Sequence, residues 1–126
     1  MKPLRILSAL ALFVAIYGCG PQVAVLKVDP STALMARSSV KIYTTRQLAD
    51  KKYEDFGPIE ATSCKSLMWE PVPTREDAVN QLRVRAMNLG GNGLLNLMCD
   101  AREGTSVSKN CWSSITCAAS AIQVEE

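Results

Sequence analysis

The sequence contains no histidine among its 126 residues. That removes the usual general base, the Ser-His and Cys-His nucleophile arrangements, and the commonest transition-metal ligand. Its five cysteines include no C-x-x-C pair, so a zinc knuckle and a thioredoxin-like redox site both lack their spacing. No apolar run approaches the roughly 20 residues that a membrane-spanning helix needs; the longest, Ile6 to Ile16, has 11. Charge of one sign is also missing. Setting aside Lys2 and Arg5 leaves 12 basic against 12 acidic residues, so there is no electrostatic footprint for nucleic acid. The acidic pairs Glu54-Asp55, Glu76-Asp77 and Glu125-Glu126 are adjacent in sequence and do not face one another as a glycosidase pair would. Neither a cofactor nor a metal is implied, and no enzymatic activity is expected.

What is present begins with an address. Lys2 and Arg5 precede the apolar stretch as the n-region of a signal sequence. Ile16-Tyr17-Gly18-Cys19 then resembles a bacterial lipobox, with Cys19 the residue to be lipidated. The alternative is an ordinary secretory signal cut near Gly18 or Gly20, with Cys19 a stray thiol. Cysteine parity favours lipidation, because giving Cys19 to lipid leaves four cysteines to pair. Several acyl chains on one cysteine would anchor the chain stably, each buried methylene contributing about 0.8 kcal/mol. Gly20 stands where an aspartate would resemble an inner-membrane retention signal, so sorting to the outer membrane is expected. The chain divides into a signal peptide (1–18), a lipidated cysteine and tether (19–39) and a periplasmic domain (40–126).

The domain is organised around one helix. Thr74, with Asp77 three residues on, reads as a helix start. Val79, Leu82, Ala86 and Leu89 recur at helical spacing, with Asn80, Arg83 and Asn88 on other sides. Gly90-Gly91 ends the helix before a short buried strand from Leu94 to Cys99. Val40 to Thr44 reads as the first strand and Thr45 to Asp50 as a helical turn packing Leu48. Tyr53 to Thr62, carrying Gly57-Pro58, suits a bend or an edge strand better than a central one. Lys65 to Pro73 reads as an exposed loop with Trp69, Arg102 to Asn110 as a polar loop, and Cys111 to Val124 as the last strand. Apolar parity changes along that last strand, which calls for a bulge or two-sided burial near Ser120. The fold class is α+β, a small disulfide-stapled domain with a helix packed on a three- to four-stranded sheet.

Cys64, Cys99, Cys111 and Cys117 are read as two structural disulfides. If Cys111 to Cys117 is extended, those two lie about 20 Å apart, beyond the roughly 7 Å Cα limit for a bridge. Two pairings remain: Cys64–Cys111 with Cys99–Cys117, or Cys64–Cys117 with Cys99–Cys111.

With these residues in view the chain resembles the RcsF family of outer-membrane lipoproteins, which sense envelope stress for the Rcs phosphorelay. The resemblance is carried by Val40 to Thr44, by Phe56-Gly57-Pro58-Ile59 leading to Cys64, by Arg85 to Gly93 before Cys99, and by Cys111 and Cys117. It implies the bridges Cys64–Cys111 and Cys99–Cys117. It also implies partners: the barrel-assembly machinery, outer-membrane barrel proteins, and the inner-membrane Rcs regulator IgaA. Gly20 to Ser39 departs from the long, Pro-rich, basic linker of the better-known members, with Lys27 and Arg37 its only basic residues. The rival readings are a structural or assembly lipoprotein that binds envelope proteins without signalling, and a thiol oxidoreductase.

Overall fold

A computed structural model describes residues 27–106 and 111–126. The signal peptide and Cys19 lie outside them. So do the apolar residues from Val23 to Leu26. Asp29 opens helix α1 (Pro30–Ser39) by accepting from the backbone N–H groups of Ser31 and Thr32, with Pro30 in the first turn where no donor is needed. Strand β1 (Lys41–Tyr43) and a 3₁₀ turn (Thr45–Leu48) follow, then strand β2 (Tyr53–Lys65), helix α2 (Arg75–Asn88), strand β3 (Gly93–Ser106) and strand β4 (Cys111–Val124). The sheet order is β1-β3-β4-β2, with β1 parallel to β3 and the other pairs antiparallel. β2 is therefore an edge strand, and Pro58 sits where a missing N–H is tolerated.

Two helices pack on a four-stranded mixed sheet. One core lies between α2 and the sheet, where Leu82, Leu94, Cys117, Ala119 and Ala121 meet Val40 from the end of α1. A second, smaller core covers the opposite face, where Leu48 of the 3₁₀ turn packs with Leu95, Ile122 and Val124. The parity change in β4 is thus two-sided burial: Cys117, Ala119 and Ala121 face α2, and Ile122 and Val124 face Leu48. The irregularity next to Ser120 belongs to β3, where the register shifts between Leu95 and Met98 and Asn96 takes a φ of 54°. Its Oδ1 meets the Thr45 hydroxyl at 3.0 Å, which ties the bulge to the 3₁₀ turn.

The helix boundaries follow from the same chemistry. The Thr74 hydroxyl accepts from the Asp77 N–H at 3.1 Å, and Gly90 closes α2 with a φ of +86° that only glycine adopts without strain. Gly91 brings the chain against the sheet, where a Cβ would lie 2.9 Å from the Ile122 carbonyl oxygen.

Three local readings are corrected. Residues 30–39, taken as tether, form α1, which packs across α2 rather than trailing from the domain. The polar loop expected from Arg102 is strand as far as Ser106, because backbone pairing with β4 continues through Arg102↔Ser114, Glu103↔Ser113 and Ser106↔Cys111. The helix face is also wider than its apolar stripe. Asn80 is buried where Arg37 of α1 reaches its side-chain oxygen, and Leu89, the cap just past the last residue of α2, is 49% exposed.

Candidate functional site

The four cysteines of the domain come together in two places. Cys99 and Cys117 stand directly opposite one another in the β3–β4 ladder and are bridged across a Cα separation of 4.0 Å. Cys64 at the end of β2 is bridged to Cys111 at the start of β4, Cα atoms 5.6 Å apart. Both bridges are the ones the family resemblance implies. Cys64–Cys111 holds the sheet at the end where β2 gives way to the loop leading to α2, and Cys99–Cys117 staples the middle of the β3–β4 ladder. All four cysteines among the described residues are bridged, and no group of three His, Cys, Asp or Glu is placed to hold a metal there.

The loop over residues 66–73 is closed at its base. The Thr74 N–H donates to the Ser63 hydroxyl at 3.3 Å, and Gln81 Nε2 donates to the Thr62 carbonyl at 3.2 Å. Within it, Glu70 folds a tight turn: one carboxylate oxygen accepts from the Ser66 N–H at 2.8 Å and from the Leu67 N–H at 3.0 Å, and the Glu70 N–H donates back to the Leu67 carbonyl. With the polar groups turned inward in this way, the apolar side chains are forced out. Trp69 is 81% exposed, Met68 74% and Val72 70%.

Beside the loop runs a groove of about 860 Å³, walled by α1 on one side and by the loop and the start of α2 on the other. Leu34 and Val72 line it across from one another, and Lys27 stands at its rim with Nζ 3.8 Å from Glu70. Farther along, Arg37 of α1 donates from Nε to Asn80 Oδ1 at 3.2 Å and pairs with Glu76. Arg83 approaches the same Asn80 oxygen, and its Nε is buried without a hydrogen-bond partner. Burial, and secondarily the charge of Arg37, push the Arg83 guanidinium below its ordinary value. Arg83 is therefore part of the α1–α2 contact and not an outward side chain.

The Glu70 turn has a testable pH dependence. The Ser66 N–H, then the Leu67 N–H, and after them the Lys27 charge hold the Glu70 carboxyl below its usual 4.5. Its contribution is therefore fully present above that value and is lost as pH falls through the depressed one. The Ser66 and Leu67 amide resonances are expected to titrate together with a midpoint below 4.5, and Glu70→Gln is expected to abolish the step. A midpoint at or above 4.5 would show that the carboxylate does not hold the turn.

Sequence reasoning found the cysteines and the exposed Trp69 loop but missed the groove, because it missed α1. The available signal was Asp29-Pro30, a capping residue followed by proline in the first turn.

A disulfide-stapled α+β domain of this size, with no metal group among its described residues, defines a class of small domain suited to an oxidising compartment. The chain belongs to the RcsF lipoprotein family, whose family model matches residues 20–125, and is accordingly an envelope lipoprotein. No curated protein matches it. Among solved structures it is similar to a protein of unknown function of the DUF74 family from Pediococcus pentosaceus, at 16% identity with a TM-score of 0.47. That match covers 68% of this chain and 96% of the other.

Proposed function

We propose that the protein is a non-enzymatic outer-membrane lipoprotein, anchored through lipid on Cys19, that senses envelope stress and signals to the Rcs phosphorelay through the inner-membrane regulator IgaA. The observation that carries this reading is the family match over residues 20–125. It is supported by the lipobox at Ile16 to Cys19 and by the absence of histidine from the whole sequence. In the unstressed cell the barrel-assembly machinery and outer-membrane barrels occupy the protein. Stress frees it for IgaA.

A photocrosslinking residue at Met98, an exposed position on β3, tests the partners in intact envelopes. Barrel proteins are expected in the crosslinked product without stress and IgaA under stress. Recovery of barrel partners alone under both conditions would favour a structural or assembly lipoprotein.

A further inference from the structure

Three facts about one pole of the domain belong together. The loop between Cys64 and Thr74 carries Leu67, Met68, Trp69 and Val72 exposed on a turn that Glu70 holds by accepting from the Ser66 and Leu67 N–H groups. That turn is built into the fold: the Cys64–Cys111 bridge and the Thr74-to-Ser63 hydrogen bond clamp its two ends. The chain also enters the described domain at this same pole, since Lys27 reaches the Glu70 carboxylate and lines the groove together with Leu34 and Val72.

Lys27 follows Cys19 by eight residue steps, which reach at most roughly 28 Å when fully extended. A domain of about 100 residues has a radius of gyration of about 13 Å. A tether this short, fastened at one pole, keeps that pole nearest the bilayer. An indole prefers the headgroup boundary, where its ring is apolar and its N–H stays wet, and a lysine beside it can reach the phosphates. The lipid side of the tether thus meets an apolar apex with Lys27 next to it.

We propose that the loop between Cys64 and Thr74 is a membrane-docking element: it seats the domain on the bilayer that carries the Cys19 lipid, with Trp69 and Met68 entering the interface. The proposal rests on lipidation of Cys19. Docking at this pole fixes the orientation of the domain, and it leaves the β1 edge and the Leu48 face directed away from the loop's contact. It is weak on its own and sustained by the tether, which supplies a high effective concentration of bilayer.

The test uses the full lipidated chain reconstituted into phosphatidylethanolamine–phosphatidylglycerol vesicles, with or without bromine on the acyl chains. There are two tryptophans in the sequence, so Trp112→Phe leaves Trp69 as the sole reporter. In that variant the emission is expected to be blue-shifted and to fall roughly twofold in the brominated vesicles, because an indole at the headgroup boundary contacts the upper acyl chain. Adding Met68→Glu to it is expected to restore most of the emission, and a long Gly/Ser insertion after Gly20 is expected to weaken the quenching. Lipidated protein whose Trp69 emits as in water and is not quenched would overturn the docking while leaving the anchored reading intact. Protein recovered without lipid on Cys19, as read by mass spectrometry, would overturn both. Quenching unchanged by Met68→Glu, or a Trp69 photocrosslink that captures only protein in intact envelopes, would also overturn it, the latter assigning the loop to a protein partner.

Discussion

Replacing Cys64 and Cys111 together by serine is expected to lower the stability of the domain by about 2 to 5 kcal/mol, a large share of what a domain of this size has. The loss is one of chain entropy. The bridge spans 47 residues, and in the entropic account closing a loop of that length restricts the unfolded chain by roughly 4 kcal/mol. The Cys99–Cys117 bridge spans 18, worth roughly 3 kcal/mol in the same account. A domain of about 100 residues has total stability of only about 5 to 15 kcal/mol, so neither loss is minor. The two bridges also interleave along the chain, so removing both is not expected to cost the sum. Equilibrium denaturation of each double-serine variant should give a lower midpoint than the parent, with the Cys64/Cys111 variant lower. Midpoints unchanged by either replacement would mean that packing alone holds the sheet.

Leu82→Ala is expected to cost a comparable amount, about 2 to 5 kcal/mol. Leu82 is fully buried and contributes to the core that α2 makes with Leu94, Cys117, Ala119 and Ala121. The strands on either side are held by bridges and by backbone pairing, so the site cannot collapse around the missing methyl groups and a cavity should remain. Leu89→Ala is the internal control. Leu89 lies on the same apolar stripe in the sequence but is half exposed beyond the last turn of α2, so its loss should be within about 1 kcal/mol. Equal shifts in melting temperature for the two variants would show that the packed face of α2 has been misassigned.

The contrast between Leu82 and Leu89 also shows which parts of the fold the sequence reveals. A 3.6-residue period identifies a face but not where the helix stops, and Leu89 is the cap just past its last residue, Asn88. In the same way Asn80 reads as a polar position outside the stripe, yet it is buried, as is its neighbour Gln81. Asn80 is covered because α1 brings Arg37 to its side-chain oxygen, and Gln81 because its amide reaches the Thr62 carbonyl. Such burial depends on contacts far apart in sequence, and no local pattern announces it. The strand carrying Val40 to Thr44, the 3₁₀ turn with Leu48 and the glycine stop at Gly90 were legible because each is set by adjacent residues.

The missed helix α1 has a different cause. Asp29-Pro30-Ser31 is a good turn sequence as well as a good helix start, and the helix that follows fully buries only Ala36, too little to produce an amphipathic signal. β3 was cut short for a related reason. Arg102 to Ser106 are polar or glycine, but the ladder with β4 continues through them because the hairpin's backbone groups need partners whatever the side chains are. The site shows the same division. The cysteines and Trp69 stand out by residue type, whereas the groove requires α1 to be in place.

The central claim is that this lipoprotein signals by meeting an inner-membrane receiver from which its own anchor separates it. Gly20→Asp tests that most directly, because it resembles the inner-membrane retention signal and lies outside the described domain, whose first helix starts at Pro30. A tether on the receiver's own membrane raises their effective concentration without adding a contact. The measurement is Rcs-dependent reporter output in unstressed cells carrying Gly20→Asp, with fractionation to establish relocation and resistance to proteolysis to establish folding. The account predicts a relocated, folded protein and a reporter switched on without stress. A relocated, folded protein with a silent reporter would contradict it and leave a structural envelope lipoprotein in its place.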